Sequence, residues 1–292
     1  MIALYSGRAQ KFATLVEKLP SSTHHHCPLR RLLAAGLLAF LTANFAHAAA
    51  PIQISKADAL RIGKRVWQNE SNGSVAGLTA WNAGEDFASL GIGHFIWYPQ
   101  GMRGPFEESF PKFLAFAHEH SVTVPVWLNQ ATACPWNSRA EFSKAQNSAE
   151  MRELRQFLAN TVDLQAQFLV ARLQDSLAKM LNEAAPGERD NVERQFGRVA
   201  STPHGCYALV DYVNFKGEGV LHTERYHGEG WGLLQVLEQM HGAKAGAAAT
   251  QEFSNSAAAI LRRRVQNSPP ERHEARWLPG WLNRVRTYRE HS

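Results

Sequence analysis

Residues 70–98 read ESNGSVAGLTAWNAGEDFASLGIGHFIWY: a glutamate, a loop rich in Gly, Asn and Ser, then a short apolar segment broken by glycines. Such a loop composition favours turns over regular structure. The segment from Ser89 to Tyr98 is β-branched, aromatic and glycine-interrupted, which predicts a small strand or a hairpin carrying a bulge. Upstream, Ala59, Leu60, Ile62, Gly63, Val66 and Trp67 recur at helical spacing, with Ser55 placed as N-cap and Asp58 three residues on. A helix is therefore expected over 56–70, with Glu70 on its last turn. The order helix, loop, hairpin governs how the rest is read.

Downstream, residues 105–120 predict a short helix with Phe106, Phe110, Phe113, Leu114 and Ala117 on one face, and Pro111 is tolerated near its start. An aromatic-rich loop, VPVWLNQATACPW, precedes the capping-box pattern Ser138-Arg-Ala-Glu141. From Met151 to Glu183 the apolar positions keep helical period, which predicts one helix of roughly 50 Å at 1.5 Å per residue. Pro186-Gly187 ends it. The compact apolar segment CYALVDYVNF (206–215) closes on Lys216-Gly-Glu218-Gly, and further helices are expected over 231–240, 256–265 and 281–288. The fold class is mainly α, of α+β type, with one small β element.

Composition narrows the function. The chain of 292 residues carries a formal net charge of +5, but residues 1–48 hold five Lys and Arg against one acidic residue. The remaining 49–292 balance 26 basic against 25 acidic residues, so bulk charge gives no support for a nucleic-acid partner. Arg30 and Arg31 precede LLAAGLLAFLTANFA, which ends in Ala46-His47-Ala48, an A-x-A cleavage pattern. Cleavage after Ala48 is expected, placing the mature protein in the periplasm or outside the cell. The apolar run is shorter than the roughly 20 residues that span a bilayer, so membrane attachment is expected only through an uncleaved signal. The polar stretch before the run is too long for an ordinary signal start, which points to a downstream start codon. Cleavage leaves Cys134 and Cys206, and in an oxidising compartment they are expected to form a disulfide.

An acid at a helix end beside a loop and a glycine-rich hairpin suits cleavage of a glycosidic bond. That chemistry needs one carboxyl group able to deliver a proton, and a second carboxylate or a polar group that holds water. Glu70 is the candidate acid. Glu85 and Asp86 are candidates for the second group, with Asn82 and Ser89 as neutral water-holders. Trp81, Trp97, Tyr98, Trp136, Trp231, Trp277 and Trp281 offer flat faces for sugar rings, and Trp97 and Tyr98, following the hairpin, are the expected groove residues. Glu218 and Gln235 are further candidates for substrate contact. His118-Glu-His120 lacks the spacing of a helical zinc site, and no phosphate loop or G-x-S-x-G elbow occurs, so neither a metal nor a cofactor is expected.

The stretch from Glu70 through Ser89-Leu90-Gly91-Ile92-Gly93-His94 resembles the amino-terminal lobe of phage-type lysozymes, in which a helix ends at the catalytic Glu and a loop leads into a T-I-G-I/Y-G-H hairpin. Residues 207–219 are similar to the carboxyl-lobe helix of the same group, 151–183 occupies the place of its long interlobe helix, and WGLLQVLEQM is similar to its next core helix. The resemblance implies a lysozyme-like two-lobe fold over 49–292. Glu70 then matches the general acid and Ser89 the hydroxyl residue that helps place water, while Gly91, Gly93 and His94 match structural positions. The loop after Glu70 is longer than the family's, and its second catalytic residue, an Asp, falls near Ala83. Residues 103–150 have no counterpart and are expected to form an added subdomain.

The resemblance implies an exported glycosidase, a muramidase or a lytic transglycosylase, acting on peptidoglycan or a related N-acetylated glycan. The transglycosylase form needs a single Glu, acting first as acid and then as base. A second reading is a non-catalytic glycan-binding or envelope-scaffold protein that keeps the cleft. A third uses 103–150 as a docking face for a protein partner.

Overall fold

Ser55 caps the first helix as its position predicts, its side chain accepting from the Asp58 backbone N–H, and α1 runs Lys56–Ser71 before Asn72 closes it in the left-handed region. The computed structural model describes residues 52–104 and 106–289. The expected signal segment, 1–48, lies outside the described residues. After α1 come three short strands, β1 (Thr79–Ala80), β2 (Ala88–Leu90) and β3 (Phe95–Trp97). Then follow α2 (Phe110–Glu119), α3 (Val126–Gln130), α4 (Arg139–Lys144), α5 (Ala149–Asn160), α6 (Val162–Glu183), α7 (Arg189–Ala200) and α8 (Pro203–Lys216). A second strand pair, β4 (Arg225–Tyr226) and β5 (Glu229–Gly230), precedes α9 (Leu233–Glu238), α10 (Ala247–Asn267) and α11 (Leu278–Arg286). The protein is mainly helical with small antiparallel sheets.

The first sheet has the order β1-β2-β3, with Thr79 opposite Leu90 and Ala88 opposite Trp97. The loop expected after Glu70 thus contributes a strand of its own. The β4–β5 ribbon, turned at His227-Gly228, is a second β element where the sequence suggested one. The turn between β2 and β3 rests on α6. Gly91 has φ +72°, and a Cβ there would lie 2.4 Å from Gln165 Oε1. That oxygen accepts from the Ile92 N–H at 2.9 Å, while Gln165 Nε2 donates to the Leu158 carbonyl.

Gln165 also explains why the single long helix expected over 151–183 is two. The chain breaks at Thr161, whose hydroxyl donates to the Phe157 carbonyl. The Leu158 carbonyl accepts from the Thr161 N–H at the cap and, more closely, from the Gln165 amide. Breaking the helix turns α5 away from α6. Helix α1 crosses the start of α6 closely, since a Cβ on Gly63 would stand 2.7 Å from the Val162 carbonyl oxygen. Helix α7 has no counterpart in the sequence expectations, although Val192, Phe196 and Val199 share its buried face.

One apolar core runs through the chain. Phe95 of β3 stacks on Phe113 of α2 at 5.3 Å and meets Phe168 of α6 edge-on at 5.3 Å. Phe110, Phe113, Trp136 and Phe142, all from 103–150, belong to this same buried cluster. Among the described residues no helix is long and apolar enough to cross a membrane.

The expected Cys134–Cys206 bridge is absent: both are free, buried thiols. Cys206 sits in the first turn of α8 with its Sγ donating to the Ala200 carbonyl, while Cys134 lies beside the end of β3, its N–H bonded to the Tyr98 carbonyl. Burial pushes the Cys134 thiol up to about 12 and the Cys206 thiol up to about 11. Each packs as a small apolar side chain held away from the thiolate form.

Candidate functional site

Four elements converge on Glu70. Its carboxylate is buried on the last turn of α1, with the side chain 1 % exposed. Oε1 accepts from Arg284 of α11 and from Asn214 Nδ2 of α8 at 3.2 Å. Arg284 also grips Asp211 of α8 through two bonds of 2.8 Å, from Nε and Nη2, and its guanidinium lies 4.4 Å over the Phe215 ring. Asp211 is fully buried and takes two more donors, Tyr288 OH at 2.6 Å and Asn69 Nδ2 at 3.0 Å. Burial alone would raise its pKa, but the charge and hydrogen bonds of Arg284, with Tyr288 and Asn69, hold it below the ordinary carboxylate value.

The other carboxylate oxygen is in a different situation. Glu70 Oε2 is buried and has no hydrogen-bond partner, and His94 Nδ1 stands 3.9 Å away. Neither nitrogen of His94 has a partner, and both are buried. The imidazole is delivered by the β2–β3 turn, where His94 itself adopts φ +48°. Burial lowers its pKa, opposed by the Glu70 charge, so the ring is neutral near pH 7. One oxygen of Glu70 is therefore anchored by N–H donors, and the other faces the His94 imidazole without a hydrogen bond.

Next to this group, Lys216 closes α8 with its Nζ 3.4 Å over Trp281 and 4.0 Å over Phe215. Burial drives its pKa well below the ordinary lysine value, and the neighbouring Arg264 adds to this.

The other residues singled out from the sequence are not gathered here. Glu85 accepts from Asn82 Nδ2 at 3.0 Å within its own turn, and burial raises its pKa. Asp86 is exposed on the same loop. Neither bonds to Glu70. Ser89 is buried inside β2, opposite Ala80 and Ile96. Trp97 and Tyr98 are core residues, 1 % and 4 % exposed. Trp97 packs on Phe110 at 5.0 Å and Tyr98 on Phe87 at 5.3 Å, and Tyr98 also borders a cavity with Pro99, Glu108 and Thr132. Glu218 is tied to Ser176 and Lys179 of α6, at 2.6 and 3.0 Å. Gln235 is consumed by structure: it accepts from the Gly232 N–H and donates to the Gly219 carbonyl, capping α9.

Asp211, Asn214 and Arg284 escape the sequence reading. The available signal was Asp211 itself, a charge inside the apolar run CYALVDYVNF, because a buried carboxylate demands a cation. No family model, curated protein or solved structure matches the chain.

Proposed function

We propose that the protein is an exported glycosidase of lysozyme-like two-lobe architecture that cleaves peptidoglycan or a related N-acetylated glycan, with Glu70 as its proton-exchanging group. The observation that carries this reading is the asymmetry of the Glu70 carboxyl: Oε1 is fixed by Arg284 and Asn214, while Oε2 is buried, unpartnered and turned to His94. In the forward step, the protonated Oε2 gives its proton to the bridging glycosidic oxygen as the bond to the anomeric carbon breaks. In the return step, Oε2 takes a proton from the group that attacks that carbon, either water or a hydroxyl of the sugar itself. Anchoring Oε1 keeps the carboxyl plane in one orientation through both steps, which is what positioning contributes to such a reaction. The single-Glu form needs no second carboxylate, and Glu85 and Asp86 are the candidates for the form that uses a pair of acids.

One observation favours a second reading, a glycan-binding scaffold without turnover: Glu70 is also a member of a buried ion-pair network with Arg284 and Asp211. Digestion of purified sacculi with product mass spectrometry separates the two. Cleavage by the natural chain, abolished in Glu70→Gln with the thermal midpoint nearly unchanged, is the expected result. Glycan binding with no product from either chain would establish the scaffold reading instead. An internal anhydro ring in the product identifies the transglycosylase, and its absence the hydrolase.

A further inference from the structure

A cavity of about 490 Å³ opens in the carboxyl-terminal half, between the end of α6, the β4–β5 ribbon, α9 and α10. That volume is ordinary for a small-ligand pocket, but its walls are charged rather than apolar. Two ion pairs line it: Arg225 Nη2 meets Glu183 Oε1 at 3.0 Å, and Arg263 Nη2 meets Glu229 Oε2 at 3.1 Å. Glu183 also receives His222 Nε2 at 3.5 Å. The fifth charge is unmatched. Glu238 projects from α9 into the same lining and is half-buried; its backbone carbonyl accepts from Asn191 Nδ2, but its carboxylate makes no hydrogen bond or ion pair. Burial raises its pKa, repulsion from Glu188 and Glu183 adds to this, and Arg225 and Arg263 offset it in part. The arginines have capacity to spare as well, since the Nε–H of each is buried and unpartnered.

The cavity therefore presents one carboxylate with no side-chain partner, Glu238, and two guanidinium groups that are each paired on one side but keep an unused Nε–H. A metal ion would answer only the carboxylate, and no group of three or more His, Cys, Asp or Glu among the described residues could hold one. Gln235, whose amide is already committed on both sides, is not a donor for an acetamido group. We propose that this cavity binds an α-amino-acid zwitterion, its ammonium on Glu238 and its carboxylate on Arg225 and Arg263. The site stands on its own geometry. Its assignment to the free amino-acid ends of cell-wall peptides rests on the function proposed above.

Three related probes test the charge pattern by calorimetry on the mature chain: diaminopimelic acid, pimelic acid, which lacks the ammonium groups, and cadaverine, which lacks the carboxyl groups. Diaminopimelic acid should bind at least tenfold more tightly than either, and Glu238→Gln and Arg263→Met should each weaken it at least tenfold while the thermal midpoint stays put. Equal binding of all three, no saturable binding, or unchanged affinity in Glu238→Gln overturns the site. Glu70→Gln should bind the probe as the natural chain does. Probe binding without sacculus cleavage would sink the glycosidase reading and leave the site standing, whereas cleavage without probe binding does the reverse. A disaccharide-peptide carrying diaminopimelic acid should bind more tightly than the free amino acid. Weaker binding would overturn the cell-wall source.

Discussion

Arg284 is the single cation between two buried carboxylates, so replacing it by Met should be far more damaging than its place near the carboxyl terminus suggests. Arg284→Met leaves Asp211, 0 % exposed, and Glu70, 6 % exposed, without a counter-charge. Removing one partner of a buried pair costs about 3–5 kcal/mol, because the remaining charge is stranded in a poorly solvating interior. Tyr288, Asn69 and Asn214 remain as donors and keep the loss within that range. At about 2–4 °C per kcal/mol for a chain of this size, the midpoint should fall by roughly 6–20 °C. The pH dependence gives the cause away. In the natural chain the folded-state pKa of Asp211 lies below its unfolded value, so its stabilisation is present above about pH 4 and is lost as pH falls through the folded value. Without Arg284, the largest influence opposing burial is gone and only the Tyr288 and Asn69 hydrogen bonds still favour the charged form, so the folded-state pKa of Asp211 rises and the variant's deficit is greatest near neutrality. Urea unfolding at pH 7 and pH 4.5 should show the gap between the two chains narrowing on acidification. A deficit below about 1 kcal/mol at pH 7, or one equal at both pH values, would refute the account.

Two other outcomes follow from the fold. A thiol reagent should label neither Cys134 nor Cys206 in the native mature chain and both after unfolding in denaturant without reductant; an unfolded chain with no reactive thiol would restore the disulfide. Gly91→Ala forces a side chain into φ +72° and against Gln165 Oε1, so it should cost about 2–4 kcal/mol through strain and loss of the buried bond to Ile92, read by urea unfolding; a cost under about 1 kcal/mol would show that the turn is not pinned there.

What the sequence made legible was whatever local rules control. Ser55, with the apolar spacing of Ala59, Ile62 and Val66, marks α1 because a helix cap and a buried face are both short-range features. Strand β1, by contrast, is two residues inside a Gly- and Asn-rich loop, and only pairing with β2 makes it a strand. The break at Thr161 was hidden because Leu158 and Val162 keep helical spacing across it, and the deciding contact is a side-chain amide bond from Gln165. Glu70 and the GIGH turn could be picked out from the chain. The partner that fixes Glu70 is 214 residues away, and no local pattern pairs the two. The burial of Trp97 and Tyr98 was hidden for the same reason: a run of aromatics after a hairpin fits a groove wall and a core equally well until the elements around it are placed.

Charge balance in the Glu70 network separates a purely structural role from a functional one. A structural ion pair needs one carboxylate for Arg284, and Asp211 supplies it with two bonds and ample further donors. Glu70 adds a second negative charge to a buried place and leaves Oε2 and both His94 nitrogens without partners. Each unmade bond of this kind costs about 1–3 kcal/mol, and nothing else in the network recovers it. A fold selected for stability alone would carry Gln or Leu at that position, because well-packed apolar groups replace buried charges at little or no cost. Local rules broken without compensation are expected where a site must meet a ligand. Two of the orphaned atoms, Glu70 Oε2 and His94 Nδ1, stand 3.9 Å apart beside the last turn of α1, so the cost falls where the proposed reaction needs a group free to give up a proton.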